Sequence, residues 1–187
     1  MIDRILLVDD EAHILAALQR LLRHGLRDAD GSPYRVEAFT DPAAALARIG
    51  DTPFALAISD YRMPGCNGVE LLRRLRECQP HCGRIILSGY ADLNALVSAV
   101  NEAGISRFLP KPWTDFELLS AVQQILSIRA LTLENARLAD EIRLQRGTLS
   151  AQEAELRRLE QLEPGITQVQ WGEDGSFILV DPGDASP

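Results

Sequence analysis

The sequence predicts an α/β fold on a doubly wound, five-stranded parallel sheet, followed by a long coiled-coil helix and a small β-hairpin. Three observations carry that expectation. Short apolar runs, Ile5-Leu6-Leu7-Val8, Phe54-Ala55-Leu56-Ala57-Ile58 and Ile85-Ile86-Leu87, lack the polar alternation of a half-exposed strand, as suits strands covered on both faces. They alternate with amphipathic helical stretches, a pattern best satisfied by a parallel sheet with right-handed crossovers. The 187 residues suffice for one full domain and an appendage, whereas two complete domains would be crowded.

In order, the elements are strand 4–8, helix 11–25 closing at Gly25, strand 34–39, helix 41–50, strand 54–59, helix 67–78, strand 84–88, helix 92–103, strand 106–109 and a helix from 114 onward. The polar stretch 26–33, with Asp28, Asp30, Gly31, Ser32 and Pro33, reads as a surface loop. Asp41-Pro42 and Thr114-Asp115 are helix starts, because a short polar side chain accepts from the first free amides and proline is tolerated in the first turn. Gly104 follows the fourth helix where a left-handed residue favours glycine.

From Thr114 to Leu162 there is no proline and a single glycine, Gly147. Heptads place Ile128, Leu131, Asn135, Leu138, Ile142, Gln145, Leu149, Gln152, Leu156 and Leu159 at core positions, spaced alternately by three and four. An asparagine at the first core position, Asn135, pairs with its own copy and specifies a parallel two-stranded register. The alternative is a helix that packs back on its own domain, which the polar Gln145 and Gln152 keep open. Glu163-Pro164-Gly165 ends the helix, and two alternating runs around Gly172-Glu173-Asp174-Gly175 read as a hairpin. The expected organisation is a first domain over 1–124, a dimerising helix over 125–163 continuous with the domain's last helix, a hairpin over 164–181 and a disordered tail over 182–187.

The formal net charge of −8 argues against a sequence-independent nucleic-acid binder, which needs a basic face. No basic arm hides behind the average: residues 1–126 carry 13 Lys/Arg against 16 Asp/Glu, and residues 127–187 carry 6 against 11. No apolar run is long enough to span a bilayer, and Met1-Ile2-Asp3-Arg4 leads into a strand rather than a signal peptide, so a cytoplasmic protein without membrane association is expected. Cys66, Cys78 and Cys82 are expected to be free thiols; Cys78, His81 and Cys82 lack a fourth metal ligand nearby.

The chemistry-bearing residues cluster where apolar runs stop. Ile5–Val8 ends at Asp9-Asp10, Phe54–Ile58 just before Asp60, and Ile85–Leu87 at Ser88. Ligands in open α/β sheets bind beyond the carboxyl ends of the strands, so these groups converge on one edge. Carboxylates so placed repel one another unless a hard cation is shared, and Asp9, Asp10 and Asp60 predict a Mg2+ site. Asp60, opening a loop, is the candidate nucleophile, and its attack on phosphorus gives an aspartyl phosphate. The Lys111 ammonium neutralises phosphoryl oxygens, Ser88 donates to another oxygen, and a cis peptide at Pro112 would aim the lysine inward. Taken singly, an acid pair is as readily a helix cap, Asp60 a turn residue, Ser88 a loop hydroxyl, Phe108 a core aromatic and Lys111 a solvated lysine.

Together the fragments Val8-Asp9-Asp10-Glu11, Ser59-Asp60-Tyr61-Arg62-Met63-Pro64-Gly65, Ser88-Gly89, Phe108 and Lys111-Pro112 make residues 1 to 124 resemble the receiver domain of bacterial two-component response regulators, of flavodoxin-like fold. The resemblance extends through Ser88-Gly89-Tyr90 and Arg107–Trp113 to receivers fused to cyclic-di-GMP phosphodiesterase (HD-GYP) modules or hydrogenase-type activators, neither of which output modules is recognisable here. It implies that Asp60 is the phosphoacceptor, that Asp9, Asp10, Asp60 and the Arg62 carbonyl hold the metal, that Ser88 and Phe108 form the switch, and that Lys111 is the site lysine. It further implies a sensor histidine kinase as donor and self-catalysed phosphorylation and dephosphorylation as the only enzymology. Ser88 stands where threonine is commoner, and Arg62 places a cation where it is expected to tune the lifetime of the aspartyl phosphate. The expected output is a conformational relay through a parallel homodimeric coiled coil to a downstream protein effector. The alternative is a DNA-binding regulator using Arg143, Arg146, Arg157 and Arg158, against which the interleaved Glu141, Glu153, Glu155 and Glu160 argue.

Overall fold

The computed structural model describes residues 4–28, 31–89, 103–145, 151–162, 170–171 and 177–178. Its elements are β1 (Arg4–Val8), α1 (Ala12–Gly25), β2 (Arg35–Phe39), α2 (Pro42–Asp51), β3 (Leu56–Asp60), β4 (Arg62–Met63), β5 (Cys66–Asn67), α3 (Gly68–Cys78), β6 (Gly83–Ser88), β7 (Arg107–Pro110), α4 (Asp115–Gln145), α5 (Ala151–Leu162), β8 (Gln170–Trp171) and β9 (Phe177–Ile178). The main sheet has the order β2-β1-β3-β6-β7 with every pair parallel. This is the doubly wound parallel sheet expected from the apolar runs, in the flavodoxin-like form that the resemblance implied. The helix expected over 92–103 lies, but for its last residue, outside the described residues.

Alternation along each strand sends successive side chains to opposite faces. Ile5, Leu7, Leu56, Ile58, Ile85 and Leu87 join α1 and α4 in one apolar layer. Leu6, Val8, Ala57 and Ile86 meet Ile49 of α2 and Leu71, Leu72 and Leu75 of α3 in the other. Burial of both faces explains the uninterrupted apolar runs.

Local chemistry sets the helix ends. Asp41 accepts from the Ala43 amide at 2.9 Å with Pro42 in the first turn. Thr114 and Glu117 form a reciprocal cap on α4: the Glu117 amide donates to Thr114 Oγ1 at 3.2 Å, and the Thr114 amide to Glu117 Oε2 at 3.2 Å. Gly104 has φ +58, the left-handed conformation anticipated for it.

The sheet's outer strand is tied to α2 by a buried-edge ion cluster. Glu37 accepts from Arg48 Nε at 2.8 Å and from Arg4 Nη1 at 2.7 Å. The Arg48 hydrogen bond chiefly, with Arg4 helping and burial opposing, holds the Glu37 carboxyl below the usual glutamate range. A depressed folded-state pKa contributes stability in full above the unfolded value, about 4.3, and loses it as the pH falls through the folded value. Glu37→Gln is therefore expected to lower stability by about 1 kcal/mol at neutral pH. The difference should close in acid; urea midpoints with a constant difference across that range would refute the assignment.

The last helices depart from the sequence expectation. One continuous helix through Leu159 would put Asp140 and Arg157 about 25 Å apart, yet Arg157 Nη1 lies 3.1 Å from Asp140 Oδ1. The chain therefore reverses between α4 and α5, and the single heptad seam over 125–163 is corrected: Leu156 and Leu159 lie on a second helix running back along the first. Residues 146–150, between the two helices and including Leu149, lie outside the described residues. β8 and β9 pair antiparallel, Trp171 opposite Phe177; the remainder of the expected hairpin and the tail over 182–187 also lie outside them. Among the described residues no helix is long and apolar enough to cross a membrane.

Candidate functional site

The carboxyl ends of four neighbouring strands supply the site. In register, Val8 sits beside Ser59, Asp60 beside Leu87 and Ser88 beside Pro110, so Asp9, Asp60, Ser88 and Lys111 emerge at one edge. Apolar layers on both faces hold the strands, and the polar residues begin where those layers end.

Asp9 is 1% exposed and Asp60 7%. Lys111 Nζ bridges them, 2.7 Å from Asp9 Oδ2 and 2.5 Å from Asp60 Oδ1. The remaining lone pairs are also directed: Asp9 Oδ1 accepts from the Glu11 amide at 2.9 Å, and Asp60 Oδ2 from the Arg62 amide at 2.8 Å. The Lys111 backbone is anchored by its amide donating to the Ser88 carbonyl at 2.7 Å, and the following peptide to Pro112 is cis, as anticipated.

Burial, countered by Lys111 and reinforced by the Asp9 charge, raises the Asp60 carboxyl above the usual aspartate range. For Lys111 burial pulls the other way, but hydrogen bonds to Asp60 and Asp9 outweigh it and the pKa rises. One ammonium thus serves two carboxylates, and the site carries a net negative charge before Asp10 is counted.

That surplus is the observation against which a metal must be tested. Among the described residues no three His, Cys, Asp or Glu side chains form a metal cage. Asp10 is exposed and stands outside the Asp9–Lys111–Asp60 contact. Two hard carboxylates with a neighbouring carbonyl are nevertheless the donor set Mg2+ takes, since it retains several waters and uses one or two protein carboxylates. The residues fit that ion.

The expected switch pair is placed as follows. Ser88 is 1% exposed and its hydroxyl donates to the Gly89 carbonyl at 3.0 Å. Phe108, half-buried, pairs with Ile86 and packs against the α2/α3 layer.

Two supporting features escaped the sequence reading. Residues 62–67 form a small hairpin, β4 with β5, turning at Gly65 with φ +75; Pro64-Gly65 is its sequence signal. Gly68 lies so close beneath Asp60 that a Cβ there would sit 1.9 Å from the Asp60 carbonyl oxygen. The three cysteines are free.

The family model for the response regulator receiver domain matches residues 5–123, more than half of the chain. The chain is 35% identical over 139 residues to the hydrogenase transcriptional regulatory protein HoxA of Cupriavidus necator, covering 74% of this chain and 27% of that protein. It is 34% identical over 173 residues to the C4-dicarboxylate transport transcriptional regulatory protein DctD of Pseudomonas aeruginosa, covering 89% and 35% respectively. The signal receiver domain of an HD domain-containing protein from Pseudomonas fluorescens matches with TM-score 0.61 and 36% identity, over 70% of this chain and 91% of that one. The chain therefore spans about a third or less of the length of these curated relatives.

Proposed function

Because the chain belongs to the response regulator receiver family of two-component systems, we propose that Asp60 accepts a phosphoryl group from a sensor histidine kinase and that the resulting change in shape is read by a downstream protein. The observation that carries this is the single lysine held between two buried carboxylates, a pre-formed cation beside a nucleophile. Asp60 Oδ1 attacks phosphorus, the phosphohistidine P–N bond breaks, the imidazole leaves, and a P–O bond to the carboxylate forms. Lys111 transfers its hydrogen bonding to the new phosphoryl oxygens, and the Ser88 hydroxyl turns from the Gly89 carbonyl toward them. Phe108, on the strand beside that of Ser88 and level with Ile86, is the residue that passes the change on. Held by Asp9, Asp10, Asp60 and the Arg62 carbonyl, Mg2+ would supply charge neutralisation at the transferring group. In this reading the protein acts in the cytoplasm and has no foreign substrate.

Incubation with acetyl phosphate and Mg2+ is expected to add a single base-labile phosphoryl group, seen by intact mass, and EDTA to prevent it. An unmodified mass in both conditions would refute the proposal.

The relay surface is the outward stripe of α4. Ile128, Leu131, Leu138 and Ile142 are 63, 65, 41 and 49% exposed, with Asn135 exposed among them. Apolar side chains at alternating three and four spacing, with asparagine at one core position, support a parallel homodimer. The seam is confined to α4, because α5 doubles back. Asn135→Leu is expected to tighten association and to shift the number of strands, as read by light scattering with and without beryllofluoride. A monomer in both states, wild type and variant, would rule the seam out.

The transcriptional names of HoxA and DctD favour a second reading, in which the chain acts on DNA through its C-terminal region. Salt-sensitive, tight electrophoretic shift of genomic fragments would support it. Three of its arginines are engaged by acids, Arg143 and Arg157 with Asp140 at 3.0 and 3.1 Å and Arg158 with Glu155 at 3.6 Å, which favours the protein-relay reading.

A further inference from the structure

At the edge of the sheet opposite Asp60, a cleft of about 1090 Å³ opens between the loops that precede β3 and β6 and the α4–α5 pair. Gln79 staples the two loops, its amide nitrogen donating to the Ile49 and Thr52 carbonyls at 2.8 Å each and its oxygen accepting from the Phe54 amide at 2.8 Å. The floor is therefore built rather than an accident of loop packing.

Two arginines are buried near this edge, and their circumstances differ. Arg84 is satisfied by backbone, donating to the carbonyls of Cys82 at 2.7 Å, Gly104 at 2.9 Å and Pro80 at 3.3 Å. Arg129, lining the cleft and only 9% exposed, has an Nε with no hydrogen-bond partner. The titratable groups that act on its charge are Cys82 and Tyr34, and burial pushes the Cys82 thiol up to about 12, so it offers no anion at neutral pH. Asp140, also in the cleft wall, is taken by Arg143 and Arg157 at 3.0 and 3.1 Å. The cleft wall also carries Asp51, Glu77 and Glu160, but a guanidinium whose buried Nε lacks an acceptor is unfavourable, and an oxyanion is the group that matches its planar fork.

We propose that this cleft binds a small oxyanion, phosphate or carboxylate, with Arg129 as its anchoring cation. The site is separate from the phosphoacceptor: the strands run from this edge to the other, so their full length divides the two.

The test is titration of the full chain, without magnesium, with inorganic pyrophosphate and separately with succinate, following the Arg129 Nε–Hε resonance and the melting temperature. A saturable shift of that resonance with a rise in melting temperature is expected, and whichever anion saturates at lower concentration assigns the class. Arg129→Met is expected to weaken binding at least about tenfold, the loss of one charge-assisted hydrogen bond, while melting higher than wild type when no anion is added. Asp60→Asn should leave the response intact, so a failed phosphoacceptor assignment and a failed anion site are read separately. No resonance shift with either anion, or equal binding by Arg129→Met, would overturn the proposal.

Discussion

Asp60→Asn is expected to lower phosphoryl uptake from acetyl phosphate roughly a thousandfold or more, since an amide oxygen is a poor nucleophile and no second group can take its place. The proposed acceptor is Asp60 rather than Asp9, the other carboxylate on Lys111, because Asp60 is the more accessible of the two, 7% exposed against 1%. Asparagine retains the shape of the side chain and an oxygen able to accept from the Arg62 amide, which binds Asp60 Oδ2 at 2.8 Å. The variant should therefore fold, and a thermal melt beside the intact-mass measurement separates lost chemistry from lost structure. Labelling of Asp60→Asn at the wild-type rate would move the acceptor elsewhere.

The parts of this site that were legible from sequence are those whose reason is local. An apolar run ending in an acid pair marks both a buried strand and its functional end, because burial on two faces forbids carboxylates until the strand leaves the core. Asp9, Asp60, Ser88 and Lys111 could thus be placed on one edge, and the register bears that convergence out. Asp10, which the acid pair and the resemblance both put forward as a metal ligand, follows Asp9 out of the strand: Asp9 turns inward to Lys111 and Asp10 is exposed. The reversal after Gln145 was hidden for a different reason. A single glycine costs a helix only about 1 kcal/mol, so heptad arithmetic carries across Gly147 unchanged; packing of α5 on α4, including Arg157 on Asp140, decides the matter. Arg129 carried no sequence signal, since arginine on a long helix ordinarily reads as solvated.

Gly68→Ala is expected to destabilise the protein by about 3 kcal/mol, the upper end of the usual range for forcing atoms into a packed site, and to depress phosphoryl uptake beyond what the loss of folded protein explains. An added Cβ would stand 1.9 Å from the Asp60 carbonyl oxygen, 2.9 Å from its carbon and 2.8 Å from Ser59 Oγ. The obstruction is backbone, and that backbone is pinned: Asp60 pairs with Leu87 in the sheet, the Tyr61 amide donates to the Leu87 carbonyl at 2.8 Å, and the Gly68 amide itself donates to the Tyr61 carbonyl at 3.0 Å. Relief requires α3 to move away from β3 or the Asp60 peptide to rotate, and either displaces the nucleophile from Lys111. Gly25 provides the contrast, because a Cβ there meets only the Leu119 side chain, at 2.7 Å, which can change rotamer. Gly25→Ala should accordingly lie within about 1 kcal/mol of wild type. Urea midpoints for the two variants decide between them; a Gly68→Ala protein as stable as Gly25→Ala, with normal uptake, would mean that the close approach beneath Asp60 does not position it.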